Sequence, residues 1–313
     1  MKVQIISDIH LEMYGDNFSN FESIIKPEIN CTVLFLAGDI GYIHHPTFKP
    51  FMNYVSENWN EIYYVCGNHE FYQTKNNITK CKTIEDLETE YEEFFLEYWN
   101  IYYLHNNYTY ENQSVYHIWN EETGILYFIL GNTGWSFYDN DSDSDSDSDS
   151  DNMINDTKYI YTKSNNNHNI DKLHNLKLHL KCLKNIQLSI SNYKKDNEKY
   201  KWDKIYKIED KYIDKVKDVK FICLTHFPYA HYNKVSHNYY HYQPEILKNY
   251  FCNDYSRYNK YLDMYDIFIA GHTHYSYDYK EGFSKRFISN QKGYYNENYS
   301  KNKDFKMNCC FEI

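Results

Sequence analysis

The chain of 313 residues is poor in the residues that break secondary structure, with only 5 Pro and 10 Gly, and it has no run of 18 apolar residues. The missing apolar run argues against a membrane-spanning helix. The eight Cys include no C-x-x-C pair, which argues against a zinc ribbon, so we expect reduced core thiols, Cys31 and Cys310 included. Because Met1 leads into the apolar run Val3–Ile6 without a signal-peptide pattern, we expect a cytoplasmic protein.

Positive charge is also scarce, since 33 Lys and Arg stand against 44 Asp and Glu and the net charge is −11. Seven Asp lie in an Asp-Ser tract at about 139–151, and removing them leaves −4. Without clustered Lys and Arg there is no strong signal for nucleic-acid binding. An acidic tract with almost no apolar residues cannot offset the entropy lost on ordering, so we expect a disordered insert there. We expect one domain over 1–313, with an exposed helical excursion at about 168–217.

Five polar motifs are present, and each directly follows a short apolar run typical of a buried strand. In chain order they are Asp8-Ile9-His10, Gly38-Asp39, Gly67-Asn68-His69-Glu70, His226 and Gly271-His272-Thr273-His274. Asp, Asn and His are suitable ligands for a pair of divalent cations. Ligand sites of open α/β sheets lie beyond the carboxyl ends of the strands, so we expect the motifs to meet there. Apolar residues at three- and four-residue steps predict helices at Phe48–Trp59, Ile84–Trp99 and Ile170–Ile190.

In this order the motifs D-x-H, G-D, G-N-H-E, an isolated H and G-H-x-H resemble those of the calcineurin-like metallophosphoesterase superfamily. Three further stretches resemble one branch of small members: Gly131–Trp135 with its G-x-T-x-W pattern, Ile154–Asp156 and Ser289–Tyr294. The resemblance covers nearly the whole chain. It implies an α/β fold, a four-layer αββα sandwich of two mixed sheets with helices outside.

The resemblance also implies a role for each motif residue. Two sets of three residues would each bind one of two divalent metal ions, the first being Asp8, His10 and His274 and the second Asn68, His226 and His272. Asp39 would bridge the ions, and His69 would be the general acid. All-N/O ligation suits Mn, Fe, Zn or Ni. The implied reaction is in-line attack of a metal-bound hydroxide on phosphorus while His69 protonates the leaving group.

The residues after the G-D motif bear on the substrate. Phosphoprotein phosphatases of this superfamily have an Asp-Arg element there, and the Arg clamps a phosphate dianion. This chain has Ile40-Gly41-Tyr42 instead. A diester carries one charge less, so we expect a phosphodiesterase acting on a small phosphoester. The alternatives are a phosphomonoesterase acting on phosphoproteins or nucleotides, and a non-catalytic scaffold of the same fold. The missing Asp also leaves no evident carboxylate to orient His69.

Four residues outside the ligand set are candidate substrate contacts. His44 and His45 follow the G-D motif on the same loop, and Asn132 and Trp135 follow a strand predicted at Ile125–Leu130. Both loops would leave the sheet edge that carries the motifs. The alternative for His44 and His45 is a solvated loop, and for Trp135 it is packing in the core. The oligomeric state is left open.

Overall fold

The structure is a computed structural model, and it describes residues 1–73, 82–105, 116–137, 154–163, 170, 172–197, 215–237, 245–282, 285–294 and 304–313. The Asp-Ser insert predicted at 139–151 lies outside the described residues. Most of the excursion predicted at 168–217 also lies outside them, apart from one long helix. The single-domain organisation over 1–313 stays a prediction.

The first sheet has five strands, four of them parallel. They are β1 (Lys2–Ile6), β2 (Val33–Ala37), β3 (Glu61–Val65), β4 (Ile101–Tyr103) and β13 (Cys310–Glu312). Their order is β13-β1-β2-β3-β4, and only β13 is antiparallel to its neighbour. Every residue of β2 is buried, as expected for a parallel strand that is covered on both faces.

The second sheet has six strands, and its two edge strands are antiparallel to their neighbours. They are β5 (Tyr116–Asn120), β6 (Ile125–Asn132), β7 (Asp218–Thr225), β10 (Ile267–Ile269), β11 (Tyr277–Glu281) and β12 (Lys285–Ser289). Their order is β11-β12-β10-β7-β6-β5. A separate small parallel pair consists of β8 (Tyr229–Ala230) and β9 (Asn253–Asp254). Both large sheets are therefore mixed.

Helices of two to seven turns and shorter single-turn pieces connect these strands. The α-helices are α1 (Phe48–Asn58), α2 (Ile84–Phe95), α3 (Asp156–Tyr159), α4 (Lys172–Asn197), α5 (Tyr232–Val235), α6 (Glu245–Phe251) and α7 (Tyr255–Leu262). Short 3-10 turns span Leu11–Met13, Phe21–Ser23 and His69–Phe71. Thr83 begins α2 with a capping box, in which its side chain and that of Asp86 exchange hydrogen bonds with the backbone. None of the described helices is long and apolar enough to cross a membrane.

Three hydrophobic cores separate the layers. Ile5 of β1 and Leu224 of β7 belong to the core between the two sheets. Leu36 of β2 and Phe51 of α1 belong to the core on the outer face of the first sheet. Residues of α4 and α7 cover the outer face of the second sheet. Because strand residues alternate between faces, each apolar strand contributes to two cores. The predicted four-layer αββα sandwich is confirmed.

The cysteines fall into two groups. Four described ones are buried as expected, namely Cys66, Cys182, Cys223 and Cys252. Cys31 and Cys310 instead form a disulfide across 279 residues of sequence, so the expectation that they are reduced thiols is wrong. The cause lies in the strand order, since β13 pairs with β1 beside β2 and brings the two Cα atoms within 6.6 Å.

Candidate metal centre

The five polar motifs lie together where parallel strands of both sheets end. In the first sheet, Asp8 follows β1, Asp39 follows β2 and Asn68 follows β3. In the second sheet, His226 follows β7 and His272 follows β10. Because the carboxyl ends of parallel strands share one edge, residues far apart in sequence reach a common point.

Five of the motif residues have a backbone conformation that side chains disfavour. The φ angle is 54° at Asp8, 53° at His10 and Asp39, 74° at His272 and 50° at His274. Among the described non-glycine residues, only Asn30 joins them at positive φ. Left-handed backbone at such residues costs roughly 1 kcal/mol or more and clusters at functional sites. The turns are held by backbone hydrogen bonds, such as the one from the His10 N–H to the Asp39 carbonyl oxygen at 3.0 Å.

Asp8, His10 and His274 form a first donor group. The His274 Nε2 atom lies 3.2 Å from His10 Nε2 and 3.5 Å from Asp8 Oδ1. Burial lowers the pKa of His10 and keeps its ring neutral. Its Nδ1 atom is 3.1 Å from the Glu12 carboxylate, which accepts hydrogen bonds, so the ring proton lies on Nδ1. The Nε2 lone pair of His10 therefore faces the other two donors.

Asn68, His226 and His272 form a second donor group. The Nε2 atom of His226 lies 3.1 Å from Asn68 Oδ1 and 3.3 Å from His272 Nδ1. Its Nδ1 atom donates to the Ala37 carbonyl oxygen at 2.9 Å, which fixes the ring with Nε2 pointing into the group. The other ring nitrogen of His272, Nε2, is buried and has no hydrogen-bond partner among the described residues.

Asp39 lies between the two donor groups. Its Oδ2 atom is 3.4 Å from His226 Nε2 and 3.9 Å from His10 Nε2. Its Oδ1 atom accepts the His69 N–H at 2.9 Å. The carboxylate is buried, so water does not weaken its field. One side chain thus reaches both groups, which is the position that a bridging ligand needs.

The donor spacing fits metal ions. Two ligands about 2.1 Å from one ion, and separated by an octahedral or tetrahedral angle, lie roughly 3.0–3.4 Å apart. The contacts within the two groups are 3.1–3.5 Å. The contact between His226 Nε2 and Asn68 Oδ1 joins two lone pairs unless a proton or a cation lies between them. The residues present therefore fit divalent ions, and N and O donors alone do not choose among Mn, Fe, Zn and Ni.

A proton on His226 competes with a cation for part of this space. Burial alone would lower the pKa of His226, but the Asp39 carboxylate raises it to about 9. Burial would raise the pKa of Asp39, yet the positive charges of His226 and His69 hold it well below its usual range. Burial, together with the charge of His226, lowers the pKa of His272 well below its usual value. A cation binding here would therefore take the place of a proton on His226.

His69 lies beside the donor groups and next to Tyr294. Its Nε2 atom is 3.1 Å from the Tyr294 hydroxyl oxygen, and its Nδ1 atom is 3.2 Å from Glu12 Oε1. Burial lowers the pKa of His69, but the carboxylates of Asp39 and Glu12 more than offset this and raise it to about 9. The ring is therefore oriented and protonated at neutral pH, which is the state that a general acid requires.

Glu12, a residue outside the predicted set, supports two of these histidines. It lies in the turn Leu11–Met13, and its Oε1 atom faces Nδ1 of both His10 and His69. The expectation that no carboxylate orients His69 is therefore wrong. The sequence offered one indication of this role, namely that Glu12 stands two residues after the candidate ligand His10.

Glu70 is a second supporting carboxylate, and it ties the G-D motif to the G-N-H-E motif. It accepts backbone N–H groups from Asp39 at 3.0 Å, Ile40 at 2.7 Å and Gly67 at 2.8 Å. The Tyr64 hydroxyl donates to it as well, at 2.8 Å. The motif glutamate therefore holds the turn that carries the bridging candidate.

Gly67 is required by the close approach of two motifs. A Cβ atom at this position would lie 2.1 Å from Asp39 Oδ1 and 2.6 Å from the Asp39 backbone nitrogen. Both distances are far below van der Waals contact. Gly67 therefore allows Asp39 to sit against the third motif, and any side chain here would displace the carboxylate.

A cavity of about 220 Å³ opens onto the donor groups. It is lined by Asp39, Asn68, His69, His272 and His274. Aromatic side chains form much of the remaining wall, namely Tyr72, Tyr232, Tyr250, Phe251 and Tyr294. No Lys or Arg is among the described residues that line it. The cavity therefore offers the candidate ligands, an oriented imidazole and an apolar surface to one small molecule.

Comparison with known proteins agrees with this geometry. Residues 1–133 match the model of the calcineurin-like phosphoesterase superfamily domain. These residues, somewhat less than half of the chain, are thus similar to the calcineurin-like phosphoesterase superfamily. The resemblance carried by the motifs is thereby confirmed at the level of the superfamily, while the branch of small G-x-T-x-W members stays a prediction.

Two further proteins are similar to this chain. An uncharacterized protein of Acanthamoeba polyphaga mimivirus is 32% identical over 110 residues, which are 33% of this chain and 38% of that protein. The match thus spans well under half of that relative. The crystal structure of a phosphopantetheinyl hydrolase from Mycobacterium tuberculosis has a TM-score of 0.59 and 13% identity, covering 97% of this chain and 94% of that one. At this identity the likeness shows the fold alone.

The superfamily motif residues and the four additional candidates differ in where they lie. The seven candidate ligands and His69 are brought together, whereas His44 and His45 are not among the residues that line the cavity. The His44 side chain is 65% exposed and contacts Glu90 at 2.8 Å. The His45 Nδ1 atom contacts the Thr47 hydroxyl at 2.7 Å. His44 and His45 lie further along the loop than Asp39, so both rings lie away from the donor groups.

Asn132 and Trp135 also lie outside the cavity lining, and they support a candidate ligand instead. The Asn132 side chain accepts the Gly134 N–H at 2.8 Å and shapes the turn after β6. The carbonyl oxygen of Thr133 in this turn accepts the His226 N–H at 3.1 Å. Trp135 is buried, with its ring centroid 5.3 Å from that of Phe227. The G-x-T-x-W stretch therefore holds the loop that presents His226.

Proposed function

We propose that the protein is a dinuclear metal-dependent phosphoester hydrolase that prefers diesters. The observation that carries the proposal is the position of Asp39 between two three-residue donor groups. The first ion would be held by Asp8, His10 and His274, the second by Asn68, His226 and His272, and both by Asp39. When bound, two such ions polarise the phosphoryl oxygens and activate water. The match of residues 1–133 to the calcineurin-like phosphoesterase model supports the same function.

His69 is the residue placed to protonate the leaving oxygen. The Glu12 carboxylate holds its Nδ1 side, and its Nε2 atom lies beside the Tyr294 hydroxyl at 3.1 Å in the cavity lining. As the phosphorus–oxygen bond breaks, the Nε2 proton passes to the departing alkoxide and leaves a neutral ring. Burial lowers the pKa of His69, but the carboxylates of Asp39 and Glu12 outweigh this and keep that proton in place at neutral pH.

The charges around the cavity support a preference for diesters. A phosphomonoester dianion is commonly clamped by Arg, and no Lys or Arg is among the described lining residues. Arg286 is 2.8 Å from Asp278, and Arg257 lies on the exposed side of α7. A diester carries one negative charge less and has less need of such a clamp. The size of the cavity favours a small substrate, and a cytoplasmic location remains the expectation from the sequence.

Turnover of two model esters tests the proposal. Purified protein with Mn²⁺ is expected to have a higher kcat/KM for bis-p-nitrophenyl phosphate than for p-nitrophenyl phosphate. A preference for the monoester would overturn the diester assignment and favour the phosphomonoesterase. Absence of turnover of both esters, with two ions bound per chain, would overturn the hydrolase and favour a scaffold.

The isosteric variant Asp39→Asn tests the bridging position. It removes the negative charge between the two groups while leaving the amide oxygen, so we expect turnover to fall by more than the roughly 10–100-fold typical of changes around a metal site. Asp278→Asn is the matched control, because that carboxylate lies on the surface beside Arg286. Equal activity of the two variants would contradict the proposed role of Asp39.

A further inference from the structure

The Ile154–Asp156 stretch supplies a buried carboxylate that contacts a candidate ligand. Asp156 is the first residue of α3 and is 1% exposed. Its Oδ1 atom accepts three hydrogen bonds, from the Tyr72 hydroxyl at 2.6 Å, from Asn68 Nδ2 at 2.8 Å and from the Tyr250 hydroxyl at 3.1 Å. Three donors from two separate parts of the chain thus converge on one oxygen.

This arrangement determines which way the Asn68 amide points. Because the Asp156 Oδ1 atom is the acceptor in all three of these hydrogen bonds, the NH₂ group of Asn68 faces Asp156. The hydroxyl oxygens of Tyr72 and Tyr250 reinforce this choice, because they give their own protons to Asp156 and share the second proton of Asn68 Nδ2, at 3.0 and 3.3 Å. The amide oxygen is left facing His226 Nε2 at 3.1 Å. Rotating the amide by half a turn would put two donor protons where a cation would lie.

The position of Asp156 also suits a site that takes up positive charge. No Lys or Arg is among its partners in the described residues, and its Oδ2 atom is buried without a hydrogen-bond partner there. A buried carboxylate without a cation is costly. A divalent ion on Asn68 Oδ1 would lie one amide group away from this charge and would offset it.

We propose that Asp156 is a positioning residue that presents the Asn68 amide oxygen to the metal ion of the second donor group. The inference rests on the proposed two-metal function. It predicts that Asp156 acts on metal binding through Asn68 and without ligating the ion itself. The inference also gives Tyr72 and Tyr250 a role, because their hydroxyl groups complete the hydrogen bonds around the same amide.

Titration of the purified full-length protein with Mn²⁺ by calorimetry, together with elemental analysis, tests the inference. We expect Asp156→Ala to weaken one of two binding events by roughly 10–100-fold and to leave the other unchanged. Asp156→Asn retains an acceptor oxygen, so we expect most of the affinity to return. Glu88→Ala is the control for loss of a buried carboxylate, since Glu88 is paired only loosely with Lys181 at 3.9 Å.

A double-mutant comparison separates positioning from a general effect on the fold. If Asp156 acts through Asn68, Asp156→Ala added to Asn68→Ala should produce no further loss of Mn²⁺ affinity. Should Asp156→Ala fail to fold, Tyr72→Phe removes one member of the same network and is expected to weaken the same binding event several-fold.

The possible negative results are distinct. Two binding events of wild-type affinity in Asp156→Ala, or a full additional loss in the double variant, would overturn the inference while leaving the proposed function intact. A wild-type chain that binds fewer than two ions would overturn the proposed function first.

Discussion

Replacing Glu12 by Gln isolates the part that the carboxylate plays in proton donation. The side chain is 7% exposed and faces both His10 and His69, so solvent does not screen its charge. Gln has the same shape but makes neutral hydrogen bonds. A hydrogen bond to a charged group is worth about 1 kcal/mol more than a neutral one. Since one pKa unit corresponds to about 1.4 kcal/mol, we expect the pKa of His69 to fall by roughly one unit from about 9.

The sign of the effect on rate follows from the role of His69. A general acid must be protonated, so activity is lost as pH rises through its pKa. In Glu12→Gln that loss should begin about one pH unit lower than in the wild type, and at the pH that equals the wild-type pKa of His69 in the assay the rate should be about five-fold lower. Bound metal ions lower the pKa of His69 in both proteins, so the displacement between the two profiles is the quantity to compare.

Leaving-group dependence makes the assay specific for proton donation. With Mn²⁺ saturation verified by metal content, kcat is measured against pH for a diester with an alkyl leaving group and for bis-p-nitrophenyl phosphate. The displacement is expected for the alkyl ester and not for the nitrophenyl ester, whose leaving group needs no proton. Glu61→Gln is the control, because Glu61 accepts a hydrogen bond from the Tyr63 hydroxyl and lies in β3, before the candidate ligand Asn68. The same displacement with both esters, or none with either, would refute the role assigned to Glu12.

Three other predictions concern the centre as a whole. Gly67→Ala should lower kcat/KM at least ~100-fold, because the added Cβ would lie 2.1 Å from Asp39 Oδ1 and displace the carboxylate. The same clash should lower the free energy of unfolding in urea by about 1–3 kcal/mol. Wild-type turnover in this variant would contradict the geometry. Mn²⁺ at 100 times its Kd should raise the free energy of unfolding by about 2.7 kcal/mol. Thermal unfolding should show this as a higher Tm that EDTA reverses. An unchanged Tm would argue against a native metal site. Apparent Mn²⁺ affinity should rise with pH and level off above about 9, because the ion displaces the proton that the Asp39 carboxylate keeps on His226 against the effect of burial. Calorimetry in buffers of different ionisation enthalpy measures that proton, and pH-independent affinity would count against the displacement.

Central strands were predictable because both of their faces are buried. The predicted run Val3–Ile6, for example, differs from β1 by one residue. The edge strand β11 was missed, since Tyr277–Glu281 alternates buried and exposed positions and carries charged residues. Helix α2 was predicted to reach Trp99 but ends at Phe95, because the apolar period continues in side chains beyond the last helical turn.

The candidate ligands were predictable because metal chemistry restricts them to a few residue types directly after strands. Their supporting carboxylates were not, since Glu12 and Asp156 act through contacts between loops that leave no periodic trace. The disulfide between Cys31 and Cys310 was not predictable from the sequence for a similar reason. It depends on the pairing of two strands from opposite ends of the chain, and that pairing is a property of the whole sheet.

The left-handed backbone at five motif residues limits how this centre can change in evolution. Asp and Asn tolerate such a conformation, Gly adopts it freely, and β-branched residues resist it. If selection for metal binding were relaxed, the positions of Asp8, His10, Asp39, His272 and His274 would accept Gly or Asn far more readily than Val, Ile or Thr. Degenerate copies of this protein should therefore carry those two small residues at the places where their ancestors held ions.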